Sequence, residues 1–390
     1  MAKSDEQMLF DDLMGDPYNA LVEQAVSAGR VPIGYSCSLV PEPLLSLGKL
    51  FPLRLRAQDI SGTEQADYYM STFVCSYSRS VLEKGLNNGF DFLGGLVIAA
   101  SCDHIRRAGQ NMELLGVNAD KPEFFTYILD TPRKITEPLI QWLVRELHRL
   151  AGILAEKYGV DISDKALLAA IKAQNDFLAL LKEAGDLRKD DPTLISGTEF
   201  HKIMVASCVA PKDLLIKPLE AFIKQAKKRK GIGDYRVRLM ILGSNCDNPS
   251  YTELIESQGA LVVGDRYCWG SMPGLEPIPV EGDPYETLAR YYLDQCACPR
   301  MMERYRDRID YALEKIKEFR VDGVVFENIK FCDMWGYEVL TMVDGLRKAG
   351  VPVVRIERDY SLTGQGQLRT RIQAFIESIE SKRDLAALQA

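Results

Sequence analysis

Residues 31–45, VPIGYSCSLVPEPLL, and residues 237–249, VRLMILGSNCDNP, repeat one device: a short apolar run, a glycine, a cysteine three residues later, then a proline opening an apolar stretch. A second pair echoes the first. Gly95 leads through LVIAAS to Cys102-Asp103, and Gly323 leads through VVFENIKF to Cys332-Asp333. Short, bounded runs rich in Val and Ile read as parallel strands buried on both faces. Such strands are expected at Val31–Tyr35, Gly95–Ala100, Val237–Leu242, Ala260–Val263, Gly323–Phe326 and Val351–Ile356. Helical patterns separate them, including Thr63–Asn88 and a last helix over Gln367–Glu380. Strands alternating with helices predict an α/β fold, and the echo predicts two such units facing one another.

Between them, the apolar period changes to that of a helix. Thr136 is a candidate N-cap for a helix carrying Leu139, Ile140, Leu143, Leu147, Leu150 and Leu154, and Ser163 for one carrying Leu167, Ile171, Phe177 and Leu181. The two are expected to form an antiparallel hairpin. The run Lys227-Lys228-Arg229-Lys230 before Gly231 reads as a solvated helix end, and the Pro- and Gly-rich stretch from Gly270 to Pro284 as a long surface loop. The organisation expected is a helical lead-in (1–30), a first α/β domain (31–132), a helical segment (133–232) and a second α/β domain (233–390).

Composition bounds the function. The 390 residues carry 48 Lys and Arg against 55 Asp and Glu, a formal charge of -7, so there is no basic excess to neutralise a nucleic-acid backbone. No apolar stretch is long enough to span a membrane, and the polar, acidic start MAKSDEQMLFDD lacks the order of a signal peptide. A cytoplasmic protein is expected. There is no G-x-x-x-x-G-K-[ST] motif, so no ATP hydrolysis through a phosphate-binding loop is expected of this chain. Gly364-Gln-Gly366 lacks the third glycine of a dinucleotide fingerprint.

The nine cysteines carry the chemistry. In a reducing compartment an odd number of them does not read as a disulfide framework. Cys37, Cys102, Cys246 and Cys332 each follow a predicted strand, on the edge where open parallel sheets bind ligands. Cys268 follows the strand at Ala260–Val263, and Cys75 lies where a loop meets a helix; Cys208 reads as core. Paired CxxC knuckles of zinc sites are absent, and Cys296-Ala-Cys298 is a weak signal alone. Of three histidines only His104 lies near a candidate cysteine, which leaves little to activate a nucleophile. Single cysteines converging from separate loops suit an iron–sulfur cluster. Scattered core cysteines, zinc and thiol catalysis remain the other readings of the spacing.

At these residues the chain resembles the 2-hydroxyacyl-CoA dehydratase and benzoyl-CoA reductase superfamily. The matching blocks are GYSCSLVPEPLL (34–45), STFVCSYSRS (71–80), AASCDHIRR (99–107), NIKFCDMWGYE (328–338) and ERDYSLTGQGQLRTRIQAFIE (357–377). The resemblance implies two doubly wound, flavodoxin-like parallel-sheet domains flanking the helical segment, with a cluster crevice between them. It further implies that Cys75, Cys102 and Cys332 hold a [4Fe–4S] cluster, three thiolates leaving one iron open. A related branch holds a double-cubane [8Fe–9S] cluster, for which Cys37, Cys246, Cys268, Cys296 and Cys298 are the possible extra ligands. Pro41-Glu42-Pro43 stands where the family often has Pro-Glu-Glu, so Glu42 is a weak catalytic candidate. Arg79, Arg106, Arg107 and Trp269 are candidates for binding an acyl-CoA substrate, with Trp335 or Tyr77 as further walls of a flat apolar pocket.

The family works by placing one electron on a thioester carbonyl. The partners so implied are a homologous second catalytic subunit, an ATP-hydrolysing iron–sulfur activator and a low-potential donor such as ferredoxin. The tail block and the Ser-Cys-Asp-His-Ile-Arg-Arg block favour a benzoyl-CoA reductase subunit of the B or C type. A 2-hydroxyacyl-CoA dehydratase subunit and a double-cubane protein reducing small molecules are the alternatives.

Overall fold

The computed structural model describes residues 4–271, 274–294 and 298–389. In the first unit the strands are β1 (Val31–Tyr35), β2 (Leu50–Arg54), β3 (Gly95–Ala99) and β4 (Phe125–Leu129); in the second they are β5 (Val237–Gly243), β6 (Ala260–Arg266), β7 (Gly323–Ile329) and β8 (Val353–Arg358). Among the described residues these form two four-stranded sheets of the same order, β2-β1-β3-β4 and β6-β5-β7-β8, paired in parallel throughout. This is the α/β architecture with two parallel sheets read from the sequence. In both, the chain winds one way from the first strand and the other way after it, so the sheet opens between β1 and β3 and between β5 and β7. Ligand crevices of doubly wound sheets form at this point, beyond the carboxyl ends of the strands.

Two strands were not anticipated. β2 carries Pro52 in its centre, paired with Ile33, a position tolerated because β2 lies at the sheet edge and Pro52 needs no outward donor. β4 is the opposite edge, and its half-buried FTYIL lacks the continuous apolar run that marks the inner strands. The helical pattern over Thr63–Asn88 is also corrected. The helix covers Ser76–Leu86, preceded by a 3-10 turn at Ala66–Tyr68 and a loop that delivers Cys75 to the helix start. The second-unit strands β6 and β7 run three residues beyond their expected ends, and β8 begins two residues later than expected.

Helices Glu137–Tyr158 and Asp164–Asp186 stand where the apolar period placed them. Ser163 caps the second by accepting from Ala166 N–H, whereas Thr136 occupies the cap position without a side-chain bond. The helix Pro284–Asp294, from the far side of the chain, packs on Glu137–Tyr158, and all three share one core with β1 and β3. No helix among the described residues is long and apolar enough to cross a membrane.

The two units meet across a buried polar seam. Asp247, after β5, is fully buried; Arg56 Nε lies 3.3 Å from its carboxylate, Gln58 Nε2 donates to it at 2.7 Å and the Tyr360 hydroxyl at 2.6 Å. Tyr360 in turn accepts from Ala57 N–H at 3.0 Å and donates its own N–H to Ser76 Oγ at 2.9 Å. Beside the seam, His201 is fully buried between Thr252 Oγ1 and Cys246 O, each at 2.9 Å. The carbonyl must accept, so Nε2 carries the proton and Nδ1 accepts from Thr252.

Burial holds the His201 imidazole down at about 4, from 6.5. A base whose folded value is depressed is neutral in the folded state and takes up a proton on unfolding. Its contribution is present above pH 6.5 and is lost as pH falls toward 4. Urea midpoints should therefore fall between pH 7 and pH 5 by an amount worth roughly 2 kcal/mol, and His201→Asn should remove that part of the pH dependence.

Candidate functional site

Both crevices open into one cavity of about 660 Å³, and six cysteines line it: Cys37, Cys75, Cys102, Cys268, Cys298 and Cys332. Their placement follows from the topology. Cys37 and Cys102 follow β1 and β3, the two inner strands that flank the opening in the first sheet; Cys268 and Cys332 follow β6 and β7 of the second. Cys75, Cys102 and Cys332 each occupy the N-cap of a helix, those of Ser76–Leu86, Asp103–Leu114 and Asp333–Lys348. There, unpaired backbone N–H groups and the positive end of the helix dipole favour negative charge on sulfur. The N–H groups of Ser78 and Tyr77 act on Cys75, those of Ile105 and His104 on Cys102, and that of Trp335 on Cys332.

Burial outweighs these donors. It raises the thiol of Cys75, pushes Cys102 up to about 12 and Cys298 to about 11, and raises Cys268 and Cys332 well above the ordinary value. Were they ionised, the sulfurs would also repel one another, in two sets: Cys75 acts on Cys102 and Cys332, and Cys37 on Cys268 and Cys298. Cys37 acts on Cys102 and Cys268 on Cys332, which joins the sets. As thiolates the six are mutually unfavourable, and as thiols they are inert. A bound cation that displaces their protons reverses both effects. Among the described residues no group of three or more His, Cys, Asp or Glu side chains is arranged to hold a single metal ion.

Polar side chains fix the thiol-bearing loops. His104 Nδ1 accepts the Cys75 N–H at 3.4 Å, which places its proton on Nε2, 3.2 Å from Asp333 Oδ2, so one imidazole ties the Cys75 and Cys332 loops. Phe73 and Phe331, both exposed, meet edge to face at 5.5 Å next to these loops, with Phe331 in the left-handed region at φ 61°. Arg308 donates to Met301 O at 2.8 Å and Cys298 O at 3.3 Å and is neutralised by buried Glu338 at 2.7 Å. Arg300 spans to the carbonyls of Ala100, Thr131 and Pro132 in the first unit. Sequence reading missed these arginines, because nothing local marks that Arg300 will bind carbonyls of the first unit or that Arg308 will meet the Glu338 carboxylate.

The other expected site residues fall elsewhere. Cys246 is buried among Tyr251, Tyr267 and Trp269, its sulfur 4.0 Å from Asn248 O, and does not line the cavity. Cys296 lies outside the described residues. Tyr77 and Trp335 are walls of the cavity, and the buried Trp335 N–H, beside Cys268, has no other acceptor among the described residues. Arg79 is not on the cavity; it pairs with Asp67 at 2.7 Å and bonds Thr63 Oγ1 at 2.9 Å. Arg106 pairs with Asp103 and, with Arg133, Trp142 and Arg300, lines a separate groove; Arg107 is exposed on the same helix.

Glu42 and Trp269 belong to a second cavity of about 650 Å³ behind the first. Burial would raise the Glu42 carboxyl, but Lys212 Nζ at 2.5 Å and the hydroxyl of Tyr35 hold it below the ordinary value. Gln174 bridges the pair, donating to Glu42 at 3.2 Å and accepting from Lys212 at 2.6 Å. Cys208, read as core, packs on the second-unit core and also lines this cavity.

The family model for the D-component of 2-hydroxyglutaryl-CoA dehydratase matches residues 37–379. The chain belongs to this family. It is 26% identical to the (R)-phenyllactyl-CoA dehydratase beta subunit of Clostridium sporogenes over 372 residues, 95% of this chain and 97% of that one. It is 24% identical to a benzoyl-CoA reductase subunit of Thauera aromatica over 381 residues, 96% and 97% of the two chains. It is 22% identical to the (R)-2-hydroxyglutaryl-CoA dehydratase beta subunit of Acidaminococcus fermentans over 364 residues, 90% and 93%. These relatives are named as components of acyl-CoA dehydratases and of a reductase, and this family member is accordingly an enzyme component.

Because Arg308 neutralises Glu338 where both are buried, Arg308→Ala should cost about 3–5 kcal/mol in urea unfolding by stranding the carboxylate. It should also speed alkylation of Cys298. Lys348→Ala, which breaks an exposed pair with Asp344, should leave both unchanged.

Proposed function

We propose that this family member holds an iron–sulfur cluster in the six-cysteine cavity and serves as the electron-accepting subunit of an ATP-dependent one-electron reductase. The observation that carries this reading is the convergence of six thiols, from both units, on one cavity. Thiolate donors suit iron–sulfur clusters. Cys75, Cys102 and Cys332, the three at helix N-caps, would hold one cubane, and Cys37, Cys268 and Cys298, the other three on the cavity, a second. Six ligands favour the double-cubane class over a single [4Fe–4S] cluster, and with it the reduction of small molecules. When bound, the cluster supplies a low-potential electron; the chain's residues hold it, exclude water around it and set its charge balance.

Benzoyl-CoA reduction is the second reading. Tyr77 and Trp335 give the cavity the flat walls an aromatic acyl group requires, and relatives include a benzoyl-CoA reductase subunit. Both readings call for partners: an ATP-hydrolysing activator fed by a ferredoxin-like donor, and for acyl-CoA chemistry a homologous subunit, as the subunit names of the relatives support.

Iron and acid-labile sulfide measured on anaerobically purified protein should come to about eight irons per chain, consistent with cluster ligation by thiolates. Cys268→Ala should lower that content and Cys246→Ala should not. About four irons, unchanged in Cys268→Ala, would return the single cubane. Dienoyl-CoA formed from benzoyl-CoA, with activator and ATP, would transfer the function to the second reading; enoyl-CoA formed from a 2-hydroxyacyl-CoA would make the chain a dehydratase subunit.

A further inference from the structure

Buried Arg238 and Arg300 are held by carbonyl oxygens, whereas buried Arg56, Arg188 and Arg308, and Arg358 with its side chain 10% exposed, each have a buried carboxylate: Asp247, Asp265, Glu338 and Glu327. Arg54, at the end of β2 and only 5% exposed, has none of these. Its guanidinium donates to the carbonyl of Cys268 at 2.5 Å and lies 4.5 Å from the centre of the Trp269 ring, and its Nε is buried without an acceptor among the described residues. The groups whose charge would act on it most strongly are Cys208, Tyr35, Cys37 and Tyr77, thiols and phenols rather than carboxylates. Glu42, in the cavity behind, already holds Lys212. Among the described residues Arg54 is the one lysine or arginine lining the six-cysteine cavity, and it also lines the second cavity, forming part of the wall between them.

A buried guanidinium is expensive unless a negative charge answers it. On the side of the second cavity Glu42 acts on Arg54 but is itself bonded to Lys212; on the other side the charge is that of the cysteines, once their protons are displaced. We infer that Arg54 is the charge-compensating residue of the cysteine cavity, offsetting the thiolate charge of the bound cluster and the electron added to it, so that its positive charge raises the cluster's reduction potential. The inference rests on the proposed cluster. Its position beside Cys37 and Cys268 assigns the effect to the second set of cysteines rather than to the three at helix N-caps, which have their own backbone donors. Trp269 keeps the guanidinium dry and flat against the wall, as aromatic faces do for arginine.

The test compares Arg54→Gln with Arg54→Lys in the full chain, because both side chains can still donate to Cys268 O and only one keeps the charge. Midpoint potentials are read by EPR in anaerobic titrations against a chemical reductant, with iron counted on the same samples. Arg54→Gln should shift the oxidised-to-reduced ratio at fixed potential at least tenfold toward oxidised, a fall of about 59 mV for a one-electron couple. Arg54→Lys should stay within about threefold of wild type. If the glutamine protein retains no iron, retention by the lysine protein supports the inference and loss from both overturns it. Equal potentials in all three proteins at equal iron content overturn the inference and leave the cluster standing. Wild-type protein that binds no iron overturns the cluster reading itself.

Discussion

A fully buried carboxylate, Asp247, sits at the seam of two sheets that belong to different halves of the chain. It cannot be left unpaired there, since stranding one partner of such a pair costs about 3–5 kcal/mol. Its partners come from both halves: Arg56 and Gln58 from the loop after β2, Tyr360 from the loop after β8. Satisfying that one charge brings the carboxyl ends of the two sheets face to face. The Tyr360 ring then packs at 5.2 Å on Tyr77, the cavity wall two residues beyond Cys75. The relative position of the halves, and hence the enclosure of the cysteines, depends on this bonding.

With the halves so placed, the sheet order does the rest. A parallel sheet that winds outward in both directions leaves its inner strands ending beside an open crevice. The loops leaving β3 and β7 turn at once into helices, and Cys102 and Cys332 stand at those turns. The same geometry explains why burial and activation oppose one another. Helix N-termini favour thiolates, but the walls built by Tyr77, Ile105, Ile329 and Trp335 disfavour any charge. A low-dielectric pocket with backbone donors aimed at sulfur is poor for free thiols and well suited to thiolates shared with metal.

Much of this was legible in the sequence. The inner strands announce themselves as Val- and Ile-rich runs, and a cysteine at a fixed offset from a glycine marked the edge on which a site would form. The edge strands of the second sheet were legible too, but those of the first were not, because β2 contains Pro52 and β4 alternates too weakly. Cys246 obeys the same local rule as Cys37, yet it is drawn into the core by Tyr251 and Trp269. Sequence offset gives the sheet edge, not the direction of the side chain. Cys298 was found only as part of a CxC pair, since its position is set by Arg300 reaching carbonyls of the first unit and by Arg308, which bonds the Cys298 carbonyl while paired with Glu338. The importance of Arg54 was invisible for a related reason: what distinguishes it among the described residues is that no other lysine or arginine lines the six-cysteine cavity.

The most direct measurement is a crystal structure of the anaerobically purified chain with anomalous diffraction collected at the iron edge. The account predicts iron density between the two units, bonded on one side to Cys75, Cys102 and Cys332 and on the other to Cys37, Cys268 and Cys298. Iron bound to other residues, or a cavity whose cysteines pack on one another without iron, would contradict it.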